Sequence, residues 1–466
     1  MVFVPAAAPL ALLLVTPYDP SLSSSCLARN FYGIHSQQSL FITDDACLAQ
    51  SADLLTAGSI VPLESASAQG LIWLEEKAVD NAIRPASAAD ELDAFLVELT
   101  GPQADTSGQQ VIAAHTGQAR VLARTISSAL LSLDPERALT LDTRLPRFWK
   151  AIPIPAAPIP FASVRQDAVK RIKDILASAR FDPVVASLVN DLSIPQMVKD
   201  VRYLTGEDPT SDIVSRHSFS RGALEAAAWL KTQFESTGAT CELKPFLRGF
   251  APNVVCTFSA TEDTTETILL SAHYDSRGSF GSTRAPGGDD DGSGTTSLLG
   301  IARTIGRKRV SFRKNVQLVA FAGEEQGLYG SRAYARELHD AGANLTLVVQ
   351  ADMLGYHVSG EPAQLGLPEK IGTPELADLV KVLAGWYSPE VTVGYSSACC
   401  SDHQSFYELG FPGTQVFERA GPIADPMYHN SGDLSERQGY DFIQIKSIAK
   451  VQFATLLYSA GYEVSA

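Results

Sequence analysis

The chain has 466 residues, 45% of them apolar and 19% charged, a globular composition that excludes a disordered chain. Its length suits one large domain and a smaller one, and a core of roughly 300 residues buries about three quarters of its unfolded surface without disulfide scaffolding. The net charge of -15 argues against nucleic acid as a partner and against anionic membranes, because an acidic surface repels phosphate.

Val2 to Val15 is apolar apart from Pro5 and Pro9, the length of a signal-peptide core and short for a membrane span. No basic residue precedes it, the first being Arg29. Residues 1–25 are expected to be a signal peptide; the alternative is an apolar start packed on the fold. No later segment reads as a transmembrane helix. The six cysteines contain no CxxC pattern and fit an oxidising compartment. Cys26 with Cys47, and Cys241 with Cys256, are plausible pairs. Cys399 and Cys400 are adjacent, so a bond between them would be strained. One glycosylation sequon occurs, Asn344-Leu345-Thr346. The expectation is a secreted, disulfide-bonded glycoprotein, with a vacuole or other secretory compartment as the alternative.

Residues 26 to about 145 carry no chemical motif. Pro146, Pro153, Pro155, Pro158 and Pro160 then exclude regular helix or central strand and predict an extended linker, with a boundary near residue 160. Beyond it, Val164 to Leu204 reads as helical pieces. Ser220 to Glu235 is an amphipathic helix with Leu224, Ala227, Leu230 and Phe234 on its apolar face. Strands are predicted at Thr267–Ala272, Val316–Ala322, Leu345–Ala351 and ending near Glu418. Helices are predicted at Gly294–Ile305, Leu328–Leu338, Pro374–Trp386 and Ile443–Tyr462. Apolar strands alternating with helices predict an α/β fold, a mixed and mostly parallel sheet covered on both faces. Ligands of such sheets sit beyond the carboxyl ends of the strands.

Chemistry-bearing residues fall at those ends. His273 and Asp275 follow the first strand, two apart, so the carboxylate can hold the imidazole that binds a metal. Asp289, Asp290 and Asp291 precede a Gly-rich helix start. They are a solvated loop or helix cap, or one of them bridges two cations that offset the cluster. Glu324 and Glu325 follow the second strand and divide naturally into a ligand and a general base. Asp352 follows the third strand, and His429 lies in a polar loop before the last helix. Each alone has a structural reading as a turn, cap or solvated side chain. Together, imidazole and carboxylate suit zinc, and five ligands with one shared carboxylate make a two-metal site.

From Val201 onward the chain resembles the two-zinc aminopeptidase family of secreted bacterial and fungal leucyl aminopeptidases. More distant relatives are glutamate carboxypeptidases and glutaminyl cyclases. AHYDS, APGGDDDGSG, FAGEEQGLYGS, QADMLGY, SDHQSF and DPMYHNSGD occur in the family's order. The resemblance implies a three-layer zinc-peptidase sandwich over residues 161–466. It implies one zinc on His273, Asp290 and Asp352, and a second on Asp290, Glu325 and His429. Asp290 would be the bridge, with Asp289 its rival. Glu324 would be the general base, Asp275 would orient His273, and Tyr428 would donate to the oxyanion. The substrates implied are peptides with a free N-terminus, and a monomer is favoured. Residues 26–160 would be a pro-region or an accessory domain. Many relatives carry a disulfide just before SDH; here Cys400 fits, but its partner position is Ser396 and the adjoining aromatic position is Ala398. A carboxypeptidase or dipeptidase on the same fold would need a cation for the substrate carboxylate, for which Arg277, Arg284 and Arg419 lie near the motifs. A cyclase usually needs one zinc. An inactive binding protein would have lost ligands, and none is missing.

Overall fold

The computed structural model describes residues 11–20, 25–35, 37–51, 58–63, 68–84, 88–101, 119–279, 282, 284–398 and 400–465. They fall into two units, Met1–Glu76 with Ala86–Ser163, and Lys77–Pro85 with Val164–Ala466. The second unit takes up the chain again from Val164 and also includes Lys77–Pro85.

In the first unit Ala11–Pro17 (β1), Phe31–His35 (β2), Gln38–Thr43 (β3) and Ser59–Leu63 (β4) form an antiparallel sheet in the order β2-β3-β1-β4. Residues 1–10 lie outside the described residues. Leu13 and Leu14 of β1 are fully buried, the packed alternative named for this apolar start. A cut at residue 25 would therefore remove an inner strand of this sheet. Cys26 and Cys47 are bonded.

A second sheet has Leu71–Glu76 (β5), Arg120–Arg124 (β6), Ser128–Ser132 (β7) and Trp149–Pro153 (β8), in the order β6-β7-β5-β8. Here the reading of residues 146–160 as linker is corrected. Trp149–Pro153 is an edge strand, where a proline at the last position costs little of the ladder.

The second unit is built on six strands: Thr240–Lys244 (β9), Asn253–Phe258 (β10), Thr267–His273 (β11), Asn315–Phe321 (β13), Leu345–Ala351 (β14) and Gly413–Val416 (β17). Their order across the sheet is β17-β14-β11-β13-β10-β9. β13, β11, β14 and β17 are mutually parallel, whereas β10 runs antiparallel to both of its neighbours, β13 and β9. Short pairs of Val310–Phe312 (β12) with Tyr462–Val464 (β18), and of Gln364–Pro368 (β15) with Thr392–Ser396 (β16), complete the strands. Cys241 and Cys256 face each other across β9 and β10 and are bonded. Cys399 lies outside the described residues; Cys400 is disulfide-bonded.

The period of two along each strand supplies two apolar faces. On β11, Ile268, Leu270 and Ala272 join the larger core with helices Gly292–Lys308 and Phe442–Ala460. Leu269 turns the other way, to Tyr334 and Ala335 of helix Tyr329–Asp340 and to Phe406. The result is the expected three-layer α/β sandwich. One expected core residue is misplaced: on helix Arg221–Glu235 the buried stripe is Ala223, Ala226, Ala227, Leu230 and Phe234, while Leu224 is exposed.

Candidate metal centre

β11, β13 and β14 run in parallel, so their carboxyl ends open on one side of the sheet. His273 ends β11, Glu324 and Glu325 follow β13, and Asp352 follows β14. All are buried, as are Asp290, Asp275, Tyr428 and His429. The structure brings five of them into two overlapping groups, His273 with Asp290 and Asp352, and Asp290 with Glu325 and His429. Within each group the ligand atoms lie within 4.8 Å of one another. Asp290 stands in both: Oδ1 is 3.2 Å from His273 Nε2, and Oδ2 is 3.4 Å from His429 Nε2. His273 Nε2 is 3.7 Å from Asp352 Oδ1, and His429 Nε2 is 2.9 Å from Glu325 Oε2.

These spacings match the roughly 3.3–3.5 Å between donor atoms around a tetrahedral zinc with bonds of about 2.0–2.2 Å. His273 Nε2 and Glu325 Oε1 are buried and make no hydrogen bond, a costly state that a cation between the side chains would relieve. The residues present therefore fit two metal ions.

The three consecutive aspartates have three environments. Asp291 caps helix Gly292–Lys308, accepting from Gly294 N at 2.9 Å, and also takes the backbone N–H groups of His273 and Met353. Asp289 accepts from Gly355 N at 2.7 Å and belongs to neither group. Burial and Asp425 push its carboxyl up to about 7. Burial also raises Asp290, but His273 and His429 outweigh it and hold that carboxyl below the ordinary range. Gly287 makes the loop possible: at φ 55° a Cβ would meet Asp290 O and Ser276 Cβ, each at 2.4 Å.

Asp275 makes its contacts differently from the simplest reading of HxD. His273 Nδ1 is 3.1 Å from the Asp275 backbone oxygen and 3.5 Å from its carboxylate. The carboxylate accepts from Ser218 Oγ at 2.9 Å and from the backbone N–H groups of Glu324 and Glu325, each at 3.3 Å. It thus ties the end of β13 to the end of β11. The Tyr428 ring stacks on His429 with centroids 3.8 Å apart. Burial, then Asp290, Glu325 and Glu324, push its phenol well above the ordinary value, so it stays a donor. His429 itself sits at φ 51°, a left-handed backbone that costs energy and is held by its loop.

Sequence reasoning missed the residues that hold these loops. Arg216 is fully buried and donates to the carbonyls of Tyr274 at 2.7 Å, Leu204 at 2.9 Å, Gly287 at 2.7 Å and Pro286. Burial lowers its guanidinium to about 10. Asp433 accepts from the backbone N–H groups of Asp289 and Asp290, and Arg437 binds both Asp433 and Asp425. Asp425 and Asp433 stood inside the DPMYHNSGD motif without an assigned role. Nothing around Arg216 in the sequence marks it.

Fold and donor set define a class: an α/β sandwich with a buried carboxylate–imidazole metal centre at the strand ends. Residues 253–454 match the model of peptidase family M28. The chain is 27% identical over 300 residues to a probable leucine aminopeptidase of Arthroderma otae, covering 61% of this chain and 77% of that one. It is also 27% identical over 300 residues to leucine aminopeptidase 1 of Sclerotinia sclerotiorum, covering 60% and 73%. The LapA aminopeptidase of Legionella pneumophila shares the fold, with a TM-score of 0.59 at 17% identity over 85% of this chain and 99% of that chain.

Proposed function

We propose that this peptidase is a two-zinc aminopeptidase acting on peptides with a free N-terminus. The observation that carries the reading is Asp290, whose two carboxylate oxygens face the two imidazoles separately. His273, Asp290 and Asp352 would hold one zinc; Asp290, Glu325 and His429 would hold the other. Bound there, zinc supplies Lewis acidity and makes water acidic enough to attack at neutral pH.

Glu324 is the general base, taking the proton of the attacking water and returning it to the departing amine. Asp275 fixes the backbone of Glu324 and Glu325 and so sets where the base stands. Tyr428 donates its phenolic hydrogen bond to the oxygen that gains charge. The surrounding carboxylates attract the substrate's ammonium group, which favours cutting at the N-terminus. The curated relatives' names as leucine aminopeptidases support the same reading. The two described disulfides support an oxidising compartment outside the cytoplasm, and no helix among the described residues is long and apolar enough to cross a membrane.

The test compares leucine p-nitroanilide with its N-acetyl derivative, alongside metal analysis and Glu324→Gln. Expected are two zinc ions per chain, hydrolysis of the free-amine substrate alone, and a kcat loss of roughly 10²–10⁴-fold in the variant with zinc retained. Equal hydrolysis of the blocked substrate refutes the aminopeptidase reading. Full activity in the variant removes Glu324 as base.

A further inference from the structure

We infer that Asn253 is a positioning residue of the reaction: its side-chain amide closes the loop that carries Glu324 and so governs how well the base meets the attacking water. This rests on the reading of Glu324 as general base and names a further residue on which that base depends.

Glu324 stands between β13 and helix Tyr329–Asp340, and the hydrogen bonds of residues 322–330 can be followed atom by atom. Four successive backbone N–H groups go to side chains from other segments. Ala322 N donates to Asn253 Oδ1 at 3.1 Å, Gly323 N to Ser218 Oγ at 2.9 Å, and Glu324 N and Glu325 N to the Asp275 carboxylate at 3.3 Å each. Buried donors need such partners, and here each partner also fixes a position.

Asn253 reaches both ends of the loop. The backbone ladder between β10 and β13 stops at Val254 opposite Ala320. One residue further on, the buried Asn253 side chain takes over: Oδ1 holds Ala322 N, and Nδ2 donates to Gly330 O at 2.9 Å. Gly330 N in turn donates to Ala322 O at 3.1 Å. An amide carries its acceptor and its donor on separate atoms, which neither a carboxylate nor a hydroxyl does. It therefore serves the mouth of the loop as the peptide group of a neighbouring strand would. Gly330 permits the approach, since a Cβ there would lie 2.2 Å from Ala322 O and 2.3 Å from Asn253 Oδ1.

Within the loop, Tyr329 N bonds Gly323 O at 2.9 Å and Leu328 N bonds Glu324 O at 3.0 Å. A shift at the mouth is thus carried inward to Glu324. A ligand carboxylate would be held by its metal, whereas the base takes its place from the backbone that carries it. Proton transfer needs hydrogen-bond reach, and a displacement of about 1 Å costs about 10²-fold in rate.

The test is a double-mutant cycle on the zinc-loaded full chain with leucine p-nitroanilide. Asn253→Leu removes both hydrogen bonds without adding charge. It should lower kcat by about 10–100-fold, with KM within about twofold and zinc content unchanged. Added to Glu324→Gln, the same change should lower kcat by less than about twofold, because an absent base cannot be misplaced. Hydrogen exchange over residues 322–330 of the metal-free protein should quicken in Asn253→Leu. Gly330→Ala presses on the same amide from the other side and should repeat the pattern; it carries the cycle if Asn253→Leu does not fold. An unchanged kcat in Asn253→Leu, or an equal loss with and without Glu324, overturns the inference while leaving the peptidase reading in place. Full activity in Glu324→Gln alone takes down the base and this inference with it.

Discussion

Replacing Arg216 by Met should destabilise the catalytic unit more than any exposed change would. The side chain is 0% exposed and holds four carbonyls from three chain segments. Gly287 O keeps a second donor, Gly292 N at 2.9 Å, so the loss falls mainly on the carbonyls of Leu204, Tyr274 and Pro286. A buried acceptor left without its donor costs about 1–3 kcal/mol, so the expected loss over three carbonyls is roughly 3–9 kcal/mol. For a unit of this size 1 kcal/mol moves Tm by about 2 °C, giving a fall of roughly 6–18 °C by scanning calorimetry. Because the Pro286–Gly287 turn leads into Asp290, zinc affinity should fall with it. A loss below about 1 kcal/mol with unchanged zinc binding would refute the view that this guanidinium pins the loop.

Asp290→Asn should release zinc on dialysis, whereas Asp289→Asn should keep it, because a raised Asp289 is already close to the neutral side chain; the reverse result would make Asp289 the bridge. At Glu390, burial raises the carboxyl, but Lys450, Ser447 and Ser388 outweigh it and hold it at about 2 against an ordinary 4.5. Its contribution to stability is thus fully present above about pH 4.5 and lost as pH falls toward 2. Denaturation midpoints of wild type and Glu390→Gln should therefore differ at pH 6 and converge near pH 2. Opening the Cys241–Cys256 bond, whose cysteines are 15 residues apart, should cost about 3 kcal/mol in urea denaturation of Cys256→Ser against wild type.

Much of the second unit was legible because its strands are nearly unbroken apolar runs. Leu345–Ala351 is buried along its whole length and its range was read to the residue. The grouping of the candidate ligands was legible for a related reason: a His, Asp or Glu just after such a run must stand at the carboxyl edge of the sheet. What stayed hidden depends on contacts distant in sequence. Arg216 reaches carbonyls up to 71 positions away, and no local pattern encodes that. Asp275 was read as a partner of the imidazole side chain, and its carboxylate does lie 3.5 Å from His273 Nδ1; its further bonds to the backbone of Glu324 and Glu325, some 50 positions on, were not legible. Leu224 failed for the opposite reason. Three alanines on the same helix fit tightly against the core and displaced the larger side chain to solvent.

The chain enters its catalytic unit twice. Lys77–Pro85 arrives long before the rest, and there Asp80 N donates to Ile423 O at 2.7 Å, Ile423 N donates to Ala78 O at 2.9 Å, and Asp80 accepts from Arg419. Ile423 lies six residues before His429, in the loop that carries this candidate ligand. An enzyme released by proteolysis after residue 163 would leave this early strip on the discarded fragment. Maturation by a single cut at the prolines and an intact brace on the His429 loop are thus competing demands on the same stretch of chain, and an expression boundary drawn near residue 163 would leave that brace behind.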